Sequence, residues 1–139
     1  MGFLHMHAAV SLALASVLWT VQLVIYPAFR FIDPLHFSHW HTRYSGAITW
    51  IVAPLILIQT AGVAGRLFLL PAPDKLWAVE CFFTTLAWTV TFVFSVPIHN
   101  RLQKARDEKA MGALVLTNWA RTASWSATAV CSWLASGQA

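Results

Sequence analysis

Residues 76–99 read LWAVECFFTTLAWTVTFVFSVPIH, a run with a single charged side chain, Glu80. At about 1.5 Å per residue, a helix of this length crosses a hydrocarbon layer of roughly 30 Å. The polar and amphipathic positions Glu80, Thr84, Trp88, Thr91, Ser95 and His99 recur at steps of three or four residues. That spacing gathers them on one face of a helix. Polar side chains in a span are costly unless they face protein or water, so the stripe marks the interior of a bundle and lipid takes the other faces.

Three other runs have the same character. Residues 2–29 contain no Asp, Glu, Lys or Arg. A second span lies within residues 44–65, and an interfacial turn near residues 36–43 leads into it. A fourth covers about residues 110–134 and includes Arg121. The connectors are short: residues 30–40, with Asp33-Pro34 as a turn; residues 66–75, broken by Pro71 and Pro73; and residues 100–109. Short connectors make sequential helices antiparallel neighbours. Helices satisfy their own backbone in lipid, and the alternation of a membrane β-barrel is absent. The sequence thus predicts an all-α, integral membrane up-down four-helix bundle, one domain over residues 1–139.

Composition agrees. The 139 residues are 58% hydrophobic and 10% charged, with a mean hydropathy of +0.63, against about 25% charged in soluble domains. The net charge of +4 comes from basic residues between apolar runs, not from an aromatic-interleaved patch, which argues against nucleic acid. Cys81 and Cys131 form no CxxC pair, which excludes a cysteine-framed zinc site; free thiols are expected. The first basic residue is Arg30, which argues against a cleaved signal peptide. Met6 stands where myristoylation needs Ser or Thr.

Connectors 30–43 and 100–109 carry Arg30, Arg43, Arg101, Lys104, Arg106 and Lys109; the opposite face carries Arg66 and Lys75. The positive-inside rule then makes the chain a multi-pass protein of the inner (cytoplasmic) membrane, with those two connectors cytoplasmic and both termini outside.

Polar residues within spans nominate the site. Tyr26, His41 and His99 fall at cytoplasmic helix ends, and Asn118 and Arg121 lie a few turns into span 4. A mid-span Arg costs at least about 2.5 kcal/mol without a partner; Glu80, backbone carbonyls or an anionic ligand are the candidates. His41 and His99 are the pair for a metal, a haem or a general base, although two ligands are few for a metal. His5 and His7 read as interfacial. Trp88, Trp119 and Trp125 are candidates for an aromatic pocket. Ala61 and Gly65 form a small-xxx-small pair that permits contact with a second copy or another membrane partner.

Four segments occur in order: VQLVIYPAF (21–29), HFSHWHTRYSGAITWIVAPL (36–55), VPIHNRL (96–102) and TNWARTASW (117–125). Together they resemble a family of small bacterial four-span membrane proteins of unknown function. That family is similar to the wider domain-of-unknown-function family containing the fungal anthrone oxygenases. Tyr44 stands where relatives often carry a second histidine three residues after His41, and many relatives carry Asn at the position of His99. The resemblance implies oxidation of a lipophilic, aromatic or quinone-like substrate. The residues suit that chemistry: His41 or His99 as base, Arg121 with Asn118 holding an oxyanion, and Tyr26, Trp88, Trp119 and Trp125 as binding surface. The alternatives are a non-catalytic accessory or ligand-binding subunit and, last, a carrier with haem between His41 and His99.

Overall fold

The computed structural model describes residues 2–69 and 74–137. Four long helices account for nearly all of them, with no strand among the described residues: α1, Phe3–Phe31; α2, Phe37–Leu69; α3, Lys75–Lys104; and α4, Glu108–Ser136. The helices outrun the expected spans, so the connectors shrink to residues 32–36 and 105–107. No interfacial turn separates residues 36–43 from span 2, because α2 is already continuous from Phe37. Arg66, expected in a connector, is a buried residue of α2. The expected breakers Pro71 and Pro73 lie outside the described residues.

Aspartates punctuate the chain where helices must start. Asp74 accepts from the Trp77 amide (2.7 Å) and Asp107 from the Ala110 amide (2.9 Å), each capping an orphan donor of a first turn. Asp33 accepts from the Leu35 amide at 2.7 Å and holds the turn expected at Asp33-Pro34.

Two helices are interrupted in the same way. In α1 the stretch Val21–Ile25 is a π turn directly before Tyr26-Pro27, and in α3 Thr91–Ser95 is a π turn directly before Val96-Pro97. A proline cannot donate to the carbonyl four residues back, and its ring crowds that carbonyl. A widened turn relieves the crowding: the amides of Tyr26 and Val96 bond five residues back, to Val21 and Thr91.

The burial pattern is inverted relative to a soluble bundle. Exposed apolar side chains occur on every helix, among them Leu23, Trp50, Phe92 and Leu116. Buried polar ones include His7, Gln22, His41, Gln59, Arg66, Glu80, Asn118 and Arg121. Helices α1, α2 and α3 are long and apolar enough to cross a membrane. α4, of 29 residues, is more polar because it packs between α1 and α3 and turns Asn118, Thr122, Ser124, Thr128 and Ser132 into the protein. Its outer face still shows Leu116, Trp119, Val130, Trp133 and Leu134. Cys81 and Cys131 are free thiols, as expected.

Candidate functional site

Each end of the bundle is tied by a polar knot to which all four helices contribute. At the end with the 32–36 and 105–107 turns, His41 Nε2 of α2 lies 3.2 Å from His99 Nδ1 of α3. Ser45 Oγ sits 3.4 Å from His41 Nδ1 and 3.5 Å from His99 Nδ1. Tyr26 Oη of α1 lies 3.4 Å from the other ring nitrogen of His99. The His41 ring is fully buried, with Phe37 stacked on it and Phe29 edge-on. The π turns help to set the positions of Tyr26 and His99, since Tyr26 directly follows the first and His99 lies four residues beyond the second.

α4 supplies a guanidinium. Arg121 Nη1 donates to Asn118 Oδ1 (3.2 Å), and Asn118 Nδ2 donates to Gln22 Oε1 (2.7 Å). This buried relay from α1 fixes the Arg121 head. Arg121 is itself buried, pairs with no carboxylate among the described residues, and leaves its Nε without a partner. The expected option of Glu80 as its partner is not realised, because Glu80 belongs to the opposite knot.

There Glu80 of α3 accepts from Arg66 Nη1 of α2 (2.6 Å), sits 2.7 Å from His7 Nε2 of α1, and accepts from Ser132 Oγ of α4. Arg66 also reaches Asp74 at 3.2 Å. His7, expected to be interfacial, is instead buried. Gly62 makes room for it: a Cβ there would collide with the imidazole.

Between the knots α2 and α3 part. The gap is a cavity of about 370 Å³ lined mainly by apolar residues such as Ile48, Val52, Ile56, Trp88 and Phe92, with Tyr26, Tyr44, His99 and Arg121 as its polar lining toward the histidine knot. Of the sequence candidates, Tyr26, Trp88, His99 and Arg121 line this cleft. His41 stands behind His99, and Asn118 behind Arg121. Trp125 is not on the wall; it is fully buried with Leu14, Leu18, Ile56 and Ala87. Trp119 is 43% exposed on the outside of α4, edge-on to Trp19. Tyr44, four residues before Ile48 on the same helical face, adds to the lining; its place three residues after His41 is the signal that the sequence carries for it.

The metal and haem expectations can be compared with this geometry. No group of three His, Cys, Asp or Glu close enough to share an ion occurs among the described residues, whereas protein metal sites ordinarily use at least three ligands. A haem held between two imidazoles would separate their nitrogens by roughly 4 Å, twice a metal–imidazole bond of about 2.0–2.1 Å, with the macrocycle between the rings. The 3.2 Å contact of His41 with His99 leaves no such gap, so a bis-histidine haem does not fit this arrangement. The contact suits a hydrogen bond between neutral imidazoles, in which one nitrogen donates and the other accepts.

Gly65 meets Phe3 of the same chain, 3.2 Å from where its Cβ would be, while Ala61 is exposed. No family model, curated protein or solved structure matches the chain.

Proposed function

We propose that the protein is a four-span membrane protein that admits a lipophilic aromatic or quinone-like molecule from the bilayer into the α2–α3 cleft and acts on it as an oxidoreductase- or oxygenase-like enzyme. The observation that carries this reading is Arg121: a buried guanidinium held by Asn118, without a carboxylate, facing an apolar cleft. A buried cation without a partner is strongly unfavourable. An acidic oxygen on the ligand is the chemistry that compensates it. A ligand hydroxyl placed between Arg121 and the Tyr26–His99 pair would pass its proton to the imidazole and leave an oxyanion on the guanidinium. Such an anion is electron-rich and gives up electrons to an acceptor, dioxygen in an oxygenase-like reaction, more readily than the neutral phenol.

Embedding of all four helices is supported by the exposed apolar residues on the outer face of α4 and by its polar residues being turned inward. The cytoplasmic assignment of the 32–36 and 105–107 turns is supported by Arg30, Arg43, Arg101, Lys104, Arg106 and Lys109 at that end. With Arg66 buried against Glu80, the charge asymmetry between the ends is sharper than the bare count. The same cleft used for binding without turnover is the alternative, an accessory or ligand-binding subunit, and a partner would then meet the exposed α2 surface at Ala61.

The test is binding of a lipophilic phenol, 2-naphthol, to the protein in nanodiscs, wild type beside Arg121→Met. Loss of a charge-assisted hydrogen bond of about 1.5–3 kcal/mol predicts affinity reduced roughly 10- to 100-fold. Equal affinity in the two proteins would sink the reading. Oxidised product formed in aerated buffer, with dioxygen as the electron acceptor, by wild type and lost in His99→Ala separates the enzyme from the accessory subunit.

A further inference from the structure

A second opening reaches the same histidine. A groove of about 610 Å³ on the outside of α2 and α3 is lined by Thr42, Ser45, Gly46, Asn100 and Gln103 together with His99. It shares Ile48, Thr49, Val96 and His99 with the apolar cleft. The two spaces differ in chemistry. The cleft is apolar and lies between the knots, at the depth of Ile56 and Trp88. The groove carries hydroxyl and amide side chains and runs toward the basic end, past the exposed Asn100 and the half-buried Gln103, within two turns of Lys104. Several hydrogen-bonding groups close together give water the partners it needs in this groove, even though Ile48, Trp50 and Val96 also line it, whereas the deeper part of the cleft, around Ile56 and Trp88, offers few such groups.

We infer that this groove is the water-filled route by which the His41–His99 pair exchanges protons with the aqueous phase, so that ligand and protons reach His99 from different sides. The inference rests on the cleft being a ligand site only for its purpose; the route itself is a property of the groove. The proton balance is simple. With Nδ1 of His99 protonated and donating to His41 Nε2, its Nε2 faces Tyr26 and accepts. A ligand O–H gives its proton to the Tyr26 hydroxyl as that hydroxyl gives its own to His99 Nε2. The Nδ1 proton then leaves to groove water beside Ser45, and the imidazole ends neutral. The ligand stays behind as an anion on Arg121.

Gly46 offers a plug. No atom lies within 4 Å of where its Cβ would stand, it lines the groove, and it does not line the cleft. A phenylalanine there starts from open space and projects a bulky ring from a residue that lines the route. The test uses a background of Cys81→Ala with Cys131→Ala in proteoliposomes and two reporters. Ser45→Cys sits in the groove, and Ser11→Cys is fully buried by the other knot. A membrane-impermeant cationic thiol reagent is expected to modify Ser45→Cys at least tenfold faster than Ser11→Cys. Gly46→Phe is expected to remove that advantage, with Gly46→Leu as the milder plug. In ¹⁵N-histidine-labelled protein carrying no cysteine reporter, Gly46→Phe is expected to slow ring N–H exchange of His99 at least tenfold and leave that of His7 unchanged. Equal modification of the two reporters, or His99 exchange indifferent to the plug, overturns the inference. Naphthol affinity in the same plugged protein reports on the cleft separately, so failure of the route and failure of the ligand site are told apart.

Discussion

Replacing Glu80 by leucine is the sharpest test of how the bundle is held. Glu80 is fully buried and receives Arg66, His7 and Ser132, one residue from each of the other helices. Glu80→Leu removes the acceptor from all three. Ser132 retains its bond to the Thr128 carbonyl (2.7 Å), and Arg66 retains Asp74 at 3.2 Å. Asp74 is 46% exposed on its side chain and compensates the buried charge poorly. Breaking a buried ion pair from one side costs about 3–5 kcal/mol; the residual Asp74 contact places this case near about 3 kcal/mol, a shift of roughly a hundredfold in the folding equilibrium. Adding Arg66→Met removes the stranded cation and leaves two apolar side chains. Replacement of a whole buried pair by apolar residues is often neutral or stabilising, so the double variant is expected to recover most of the loss. Reversible unfolding in mixed detergent micelles, run as a double-mutant cycle, reads both numbers. A Glu80→Leu cost under about 1 kcal/mol, or a double variant worse than the single one, would refute the assignment of the knot as an energetic clasp.

The glycines separate by surroundings: Gly62→Ala is expected to lower the melting temperature by pushing against the His7 ring, whereas Gly112→Ala, with open space around its Cβ, is expected to raise stability by up to about 1 kcal/mol through helix propensity. Opposite ordering in thermal unfolding would contradict the placement of His7. Trp125 is fully buried and its indole N–H has no partner; Trp125→Phe is therefore expected to cost no more than about 1 kcal/mol, against about 3–5 kcal/mol for Trp125→Ala, as measured by chemical denaturation. At the 105–107 turn, the Ala110 amide foremost, aided by Arg101, holds the Asp107 carboxyl below its ordinary value of 3.8. A depressed carboxyl stabilises the fold above its unfolded value, and that contribution fades as pH falls through the folded one. Asp107→Asn is expected to keep the helix start and to flatten the melting-temperature profile below about pH 4; a profile identical to wild type would refute this.

The bundle was legible in the sequence because charge-free runs of spanning length leave little choice. The polar stripe of α3 was equally legible, since Glu80, Thr84 and Ser95 are all buried. Sequence also paired His41 with His99, from their placement at helix ends on one side of the membrane. It misjudged the other end for one reason: Arg66 and His7 lie near span termini, where charge ordinarily meets water. Nothing local announces that α2 continues for three more residues beyond Arg66, or that Gly62 opens a seat for the imidazole. Arg121 and Glu80 were offered to each other as the two conspicuous mid-span charges, yet they belong to different knots. Trp119 and Trp125 illustrate the limit of spacing arguments. Asn118 and Arg121 point inward, and the intervening Trp119, one residue from Asn118, rotates about 100° away to the outer face. Trp125 faces inward, but into a region already filled by Leu14, Leu18 and Ile56.

The π turns have a consequence for how this chain tolerates change in length. His7 and Tyr26 are nineteen residues apart, and so are Glu80 and His99. Five turns of an ideal α-helix take 18 residues. The surplus residue in each case is the one that Val21–Ile25 and Thr91–Ser95 absorb. Each pair therefore stays in phase along α1 or α3 only because one codon more than the helix needs is accommodated midway. Loss of any single codon from Thr91–Ser95 would convert the widened turn to an ordinary one and leave the helix intact from end to end. Such a deletion is among the mildest of lesions to the backbone, and its effect would depend on where in α3 it fell. Inside the π turn it would leave five turns between the two knots, and so keep them nearly aligned in angle at nearly the same separation. A turn away on either side, it would instead have to be compensated by migration of the bulge. The reading frame thus carries a built-in slack of one residue, in α1 and again in α3, at the level of the cleft between α2 and α3.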